Sequence, residues 1–309
     1  MKILVTGGAG FLGQNVVKKL LSQGYQDIVV VRKADCDLTN FEQTGSYLKR
    51  ISPDVILHLA ADVGGIGANM VNPGRFFYNN ISMGINLVEH ARLMNIKKFV
   101  FVSTVCCYPK FCPAPFKEDD IWNGYPEETN APYGIAKKSI MVMMQSYKAQ
   151  YDLNGCVVIP TNLYGPNDSF DDDKSHVIPA LIKKLVVAKR DNLSSIQCWG
   201  SGNATREFLY VEDASSGIIK ALEKINDPDP INLGSGFEIS ISDLVYKIKD
   251  MVGYKGIIQW DSNKPDGQPR RFLDVSRAKS LLDWEAKTNF DTGLRNTIDY
   301  YLSVCCKDY

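Results

Sequence analysis

The sequence runs to 309 residues, 45% of them hydrophobic and 23% charged, with 35 Lys and Arg balanced by 35 Asp and Glu to a formal net charge of zero. At roughly 150 residues per domain, this length predicts about two domains with enough core to stand without disulfide staples. A neutral chain offers no long-range field to a phosphate backbone or an anionic lipid, so nucleic acid is not an expected partner and any anionic ligand must be caught by a few placed groups.

The start, Met1-Lys2-Ile3-Leu4-Val5-Thr6-Gly7, reaches a glycine turn too early for a signal peptide. No later apolar run approaches the roughly 20 residues of a membrane helix, so a cytoplasmic protein without membrane attachment is expected. Short β-branched runs at 2–6, 27–32, 54–60, 98–103 and 155–160 predict strands. Their continuous apolarity predicts burial on both faces, as in a parallel sheet covered by helices. Amphipathic stretches at 13–22 and 79–94 are long enough for right-handed crossovers. Beyond Tyr164-Gly165-Pro166-Asn167-Asp168 the regular beat is lost. An acidic stretch, Asp171-Asp172-Asp173, precedes a helix at 177–189, a strand at 230–234, a helix at 241–251 and a loop at 264–272. The expected class is α/β, a Rossmann-type doubly wound parallel sheet formed by 1–163 plus about 207–236. A smaller, discontinuous α/β substrate domain, about 164–206 plus 237–309, would pack at the sheet's carboxyl edge.

Eight cysteines include two neighbouring pairs, Cys106-Cys107 and Cys305-Cys306, without paired C-x-x-C spacing or nearby histidines. Neither a disulfide framework nor a metal site is expected, and most of these thiols read as small buried hydrophobes.

Thr6-Gly7-Gly8-Ala9-Gly10-Phe11-Leu12-Gly13 leaves the first strand and opens the first helix. Gly7 suits a tight turn, Gly10 a close approach of pyrophosphate to the backbone, and Gly13 close helix–strand packing, with free N–H groups at the helix start for phosphate. The second strand ends Val30-Val31-Arg32-Lys33 rather than in the acid that bonds a ribose 2′-hydroxyl. Arg32 would pair with a 2′-phosphate, which favours NADP(H) over NAD(H); its bland alternative is a solvated loop cation.

Tyr133-Gly134-Ile135-Ala136-Lys137 sets a phenol and an ammonium at i and i+4 on one helix face, after Asn130 and Pro132. A cation fixed beside a phenol lowers its pKa from near 10 towards the range useful for acid–base work. Thr104, at the end of the fourth strand, adds a third hydrogen-bonding group.

The Gly-x-x-Gly-x-x-Gly spacing and this Thr-Tyr-Lys set resemble the extended short-chain dehydrogenase/reductase superfamily. The resemblance implies that Tyr133 donates a proton to a substrate carbonyl, that Lys137 also holds the nicotinamide ribose, and that Thr104 orients the carbonyl. It further implies adenosine contacts at Asp37, Leu59, Ala60 and Ala61, and cofactor contacts at Phe11, Leu12, Pro160, Asn162, Leu163 and His176. Asn80 falls where the superfamily often keeps a structural asparagine, and helix bending and catalysis both remain open for it. His58 and His90 read as structural.

Longer strings narrow the match: Val63-Gly64-Gly65-Ile66, Cys106-Cys107-Tyr108-Pro109-Lys110, Pro160-Thr161-Asn162-Leu163-Tyr164-Gly165-Pro166-Asn167-Asp168, Ser175-His176-Val177-Ile178-Pro179-Ala180, Arg206-Glu207-Phe208-Leu209 and Lys264-Pro265-Asp266-Gly267. They resemble the GDP-L-fucose synthase family of GDP-4-keto-6-deoxy-D-mannose 3,5-epimerase/4-reductases. A 4-keto group acidifies the hydrogens on C3 and C5, so epimerisation needs a base and an opposing acid. The resemblance assigns these proton transfers to Cys106 and His176, and GDP-sugar binding to Asn162, Lys183, Trp199, Arg206, Asp266 and Arg270 or Arg271. Trp199 reads equally as a core residue. Two departures stand out: Thr104 replaces the family's usual serine, and Val105-Cys106-Cys107 replaces Ser-Cys followed by an aliphatic residue.

The expected function is NADPH-dependent 3,5-epimerisation and 4-reduction of a GDP-4-keto-6-deoxyhexose. The alternatives are a related GDP-4-keto sugar, 3-deoxy or heptose, with one epimerisation or none, and a catalytically silent NADP-binding sensor. The resemblance implies a homodimer paired through helices that include the Met-rich Ile140-Met141-Val142-Met143-Met144, although an internal core face would give the same pattern.

Overall fold

The computed structural model describes residues 1–171, 175–264 and 266–305. Asp172, Asp173 and Cys306, singled out in the sequence, lie outside the described residues. The chain opens with β1 (Ile3–Thr6), α1 (Phe11–Ser22), β2 (Ile28–Val31), α2 (Phe41–Ile51), β3 (Val55–His58), α3 (Ile66–Val71), α4 (Pro73–Leu93) and β4 (Lys98–Val102). A 3-10 turn at Val105–Cys107 follows, then α5 (Ala131–Tyr151), β5 (Gly155–Pro160), β6 (Asn162–Tyr164), α6 (Val177–Arg190), β7 (Ser195–Trp199), β8 (Thr205–Tyr210) and α7 (Val211–Lys224). The chain continues through β9 (Pro230–Leu233), β10 (Glu238–Ser240), α8 (Ile241–Val252), β11 (Ile257–Asp261), β12 (Arg270–Arg271), α9 (Ser276–Leu282) and α10 (Phe290–Cys305).

The main sheet is six-stranded and wholly parallel in the order β2-β1-β3-β4-β5-β9. Its interior strands are buried residue by residue, as their continuous apolarity predicts. Leu48, Leu87, Val88, Ile140 and Met141 of α2, α4 and α5 cover one face, and Val16, Leu20, Ile218, Ile219 and Leu282 of α1, α7 and α9 cover the other. Strand succession reverses direction between β1 and β3, and this switch point opens a crevice at the carboxyl ends of the strands.

The second half is built on β8, which pairs antiparallel with β10 and parallel with β12 and β6, while β7 and β11 form a separate parallel pair. A third core, including Ile182, Leu185, Phe208, Leu244, Ile248 and Leu294, sits under α6, α8 and α10. Most of these strands escaped the sequence reading because they run two to six residues and several are half exposed. A period cannot be read from so few positions.

Within the Met-rich stretch, Ile140, Met141 and Met144 are buried in the core of their own chain and Val142 points outward. Asn80 is a strut: its side chain accepts from the Asp62 N–H at 3.1 Å and donates to the Asp62 and Phe76 carbonyls. His90 bonds the Phe41 carbonyl at 2.9 Å and stacks on that ring. Among the described residues no helix is long and apolar enough to cross a membrane, and no group of His, Cys, Asp or Glu is placed to hold a metal.

Candidate active site

The glycine turn lies against the crevice floor. Gly7 has φ of +69°, and a Cβ there would meet the Ala60 backbone nitrogen at 2.7 Å, so only glycine fits on both counts. A Cβ on Gly13 would lie 2.0 Å from the Gly7 carbonyl oxygen, which fixes how closely α1 approaches β1. Gly10 starts α1 with no side-chain cap, and the first turn, with half-buried Phe11 and Leu12, carries no acidic residue. The helix end therefore keeps its free N–H groups and positive dipole for an anion. Arg32 is exposed just past β2, with no ion-pair partner among the described residues. Asp37 accepts from the Thr39 hydroxyl and amide, which hold its carboxyl below the usual range.

Thr6, His58, Ala60 and Lys137 close the crevice from beneath. The Thr6 hydroxyl bonds His58 Nδ1 at 2.7 Å and accepts the Ala60 N–H. Lys137, 1% exposed, donates to the carbonyls of Val102 and Ala60 at 3.2 and 3.4 Å and lies over the Phe101 ring. Burial pulls this ammonium down to about 8. Half-buried Leu59 and exposed Ala61 flank Ala60 in the loop.

Tyr133 stands one helical turn before Lys137, next to the Val105–Cys107 turn. Burial, with Cys106 and Cys107 nearby, pushes its phenol well above 10, while Thr104 acts in the opposite direction. This corrects the expectation that Lys137 draws the phenol down: in this state the ammonium is turned to backbone carbonyls. A phenol held protonated is suited to donating rather than accepting a proton. Thr104 Oγ1 accepts the Cys106 N–H at 3.2 Å, which ties the hydroxyl to the turn that carries the thiol.

Cys106 is half-buried, and its sulfur lies 3.8 Å from Nη1 of Arg271. Its neighbour Cys107 is fully buried, donates to the Gly134 carbonyl and is pushed up to about 11 by burial. Arg206 donates to the carbonyls of Thr205, Gln268 and Asp266, and burial together with the charge of Arg271 pulls it down to about 10. Arg270 points elsewhere, forming a two-pronged pair with Glu238.

The Asp266 carboxylate accepts from the Ser201 amide and hydroxyl, close to Trp199, which is 57% exposed and therefore not a core residue. Lys264 lies over that indole. Lys183 is half-buried on α6. Pro160 ends β5, Leu163 lies on β6, and Asn162 donates to the Glu207 carbonyl at 2.8 Å. His176 is the residue just before α6, at its N-cap, and is exposed to solvent. It makes no hydrogen bond to Cys106 among the described residues.

Three supporting residues were missed in the sequence. Gln268, 5% exposed, donates to the carbonyls of Pro109 and Lys110 and accepts from Arg271, joining the Cys106 loop to the arginine loop. Glu207, fully buried, is pushed up to about 7 by burial, although the amides of Ser235, Gly236 and Leu273 bond its carboxylate. Gly134 lets α5 touch the Cys106 carbonyl. Only Gly134 carried a usable signal, being a glycine inside a helix, where it costs stability unless packing requires it.

A parallel doubly wound sheet with a glycine cradle at its switch point, and a Tyr-Lys pair beside it, defines a dinucleotide-dependent enzyme of the extended short-chain dehydrogenase/reductase type. The chain belongs to the NAD dependent epimerase/dehydratase family, whose profile matches residues 3–234, and within it to the GDP-L-fucose synthase-like nucleotide-sugar epimerase/reductases. It is 37% identical over 305 residues to GDP-L-fucose synthase 1 of Arabidopsis thaliana, covering 99% of this chain and 94% of that one. It is also 37% identical over 305 residues to GDP-L-colitose synthase of Yersinia pseudotuberculosis, with 98% of each chain covered. The crystal structure of a GDP-L-fucose synthetase from Naegleria fowleri bound to NADP superposes with a TM-score of 0.90 at 27% identity, over 99% of this chain and 93% of that one.

Proposed function

We propose that this enzyme epimerises GDP-4-keto-6-deoxy-D-mannose at C3 and C5 and reduces its 4-keto group with NADPH, yielding GDP-L-fucose. The observation that carries the reading is the half-buried Cys106 thiol on the turn that Thr104 caps, facing Arg271. A plain reductase needs no second proton-transfer group beside its phenol, whereas an epimerase does.

The cradle fits a dinucleotide: Gly7 and Gly13 leave no room for side chains, and the unacidified start of α1 faces outward. Gly10, Phe11, Leu12, Leu59, Ala60 and Ala61 would line it, with Arg32 on the 2′-phosphate and Asp37 towards the adenine. Pro160, Asn162, Leu163, Lys137 and His176 would border the nicotinamide end. When bound, the nicotinamide supplies the hydride that reduces C4. Thr104 and Tyr133 hold the 4-keto oxygen, which also stabilises the enolate formed when Cys106 removes a proton from C3 or C5. His176 returns a proton on the opposite face, and Tyr133 protonates the C4 oxygen at reduction. Arg206 and Lys183 take the diphosphate, and Trp199 and Asp266 the guanosine end.

The substrate would lie between the cofactor-binding part, 1–163 plus about 207–236, and the remainder of the chain. Exposed Ile85 and Val142 on α4 and α5 support pairing of two copies through those helices.

A second reading, a related GDP-4-keto sugar, is favoured by equal identity to the fucose and colitose synthases. The departures at Val105 and Cys107 do not favour it, because both side chains are buried in the core. Incubation with GDP-4-keto-6-deoxy-D-mannose and NADPH, with the product identified by NMR, separates these readings. GDP-L-fucose is expected. A product that keeps its starting configuration overturns the epimerase assignment, and no NADPH oxidation with any GDP-4-keto sugar overturns the enzyme assignment.

A further inference from the structure

Arg270 and Arg271 are adjacent in β12 yet differ in what neutralises them. The Arg270 guanidinium is fully engaged by the Glu238 carboxylate, with Nη2 at 2.6 Å and Nε at 3.0 Å. Arg271 meets no carboxylate among the described residues. Its Nε donates to the neutral side-chain oxygen of Gln268 at 3.2 Å, and its Nη1 faces the Cys106 sulfur at 3.8 Å. The arrangement is built rather than incidental. Gln268 is 5% exposed and is itself fixed by the Pro109 and Lys110 carbonyls at 3.2 and 2.9 Å, two and three residues past the catalytic turn. The loop bearing Arg271 and the loop bearing Cys106 are thereby held in one register.

We infer that Arg271 is the counter-ion of the Cys106 thiolate, aimed at the sulfur by Gln268, and that it serves proton abstraction rather than nucleotide binding alone. The inference rests on the reading of Cys106 as the base. The thiol first releases its proton to solvent, leaving a sulfur anion against the guanidinium. That anion then takes the hydrogen from C3 or C5, the C–H electron pair passing into the enolate on the 4-keto oxygen. A positive charge within about 4–6 Å favours the anionic form of such a group.

The other charged or titratable groups acting here come from every side of the turn. Arg206 on β8 adds a second positive charge, already spread over three carbonyls. Tyr133 on α5 and Cys107 in the turn itself are neutral while their protons remain, burial holding both up. Glu127 acts on Arg206 rather than closing on the sulfur. Arg271 is thus the cation in direct contact with the thiol.

The test uses the full-length, ligand-free protein. Alkylation of Cys106 by iodoacetamide is followed as a function of pH, with mass spectrometry of the peptide containing Cys106 so that other cysteines do not contribute. Arg271→Met is expected to slow alkylation at pH 7 about tenfold and to displace the profile towards alkaline pH by about one unit. Arg271→Lys should restore part of the rate, because it keeps the charge and loses the fork. Gln268→Met, which keeps Arg271 but releases its aim, should give an intermediate displacement, and Arg270→Met none. NADPH binding reports that each variant is folded, and Gln268→Met carries the test if Arg271→Met does not fold. Profiles that coincide with wild type in Arg271→Met, or in Gln268→Met when it alone folds, overturn the inference. Deuterium exchange at C3 and C5 is measured in parallel on wild type and Cys106→Ser. If alkylation depends on Arg271 while exchange survives in Cys106→Ser, the contact stands and the assignment of Cys106 as base falls.

Discussion

Gly134 lies so close to Cys106 that a Cβ built on it would sit 2.2 Å from the Cys106 carbonyl oxygen and 2.9 Å from the carbonyl carbon. Both are backbone atoms of the turn that carries the thiol, so relief of the clash must move either the turn or the helix bearing Tyr133 and Lys137. Gly134→Ala is therefore expected to lower turnover about 100-fold, the scale on which a displacement of about 1 Å disrupts alignment. Overpacking should also cost about 1–3 kcal/mol of stability. Turnover and urea unfolding of the variant check both, and near-normal values for both would show that the turn yields freely.

Cys106 and Tyr133 should separate the two halves of the reaction. Cys106→Ser is expected to abolish deuterium incorporation at C3 and C5 while NADPH affinity stays within about twofold, since the thiol lies outside the cradle. Tyr133→Phe is expected to abolish NADPH oxidation. Unchanged exchange in the first variant, or near-normal reduction in the second, would reverse the corresponding assignment.

Lys137 predicts a pH dependence of stability. Its folded value of about 8 lies below the roughly 10.4 of an exposed lysine, so between these values the unfolded chain binds more protons than the folded one. The cost of burying the charged ammonium is fully present below about 8 and is relieved as pH rises towards 10.4. Relative to Lys137→Met, the ligand-free wild type should gain on the order of 2 kcal/mol between pH 7.5 and 10. Parallel urea titrations at the two pH values measure this, and a difference that stays flat or shrinks would contradict the buried charge.

Arg32 stands exposed at the end of β2. Its guanidinium should contribute a charge-assisted contact of about 1.5–3 kcal/mol to a 2′-phosphate. Arg32→Ala is expected to weaken NADPH binding tenfold or more and leave NADH binding unchanged, as read by fluorescence titration. Equal losses for both cofactors would remove the 2′-phosphate role.

Much of the first half was legible in the sequence because its signals are local. Strand β5 matches its sequence run residue for residue, while β2 and β3 are trimmed by one or two residues at each end. Helix α4 begins at Pro73 rather than at 79, since Pro at the first turn and the buried Phe76 extend it backwards. The polar strands around β8 were not legible, because pairing in so short a strand depends on partners that arrive from distant parts of the chain, such as β12 and β6.

The candidate site divides in the same way. The glycine turn and the Tyr133–Lys137 spacing follow from residues within a few positions of one another, and rigid strand-turn-helix geometry converts that spacing into a face. What Arg271 touches, what Arg270 touches, and that Val105 and Cys107 leave the crevice while Cys106 remains beside it were decided by tertiary structure alone. Two adjacent arginines carry the same local information. Their partners, Cys106 and Glu238, come from elements 165 and 32 residues away, and only packing of those elements assigns each guanidinium its partner.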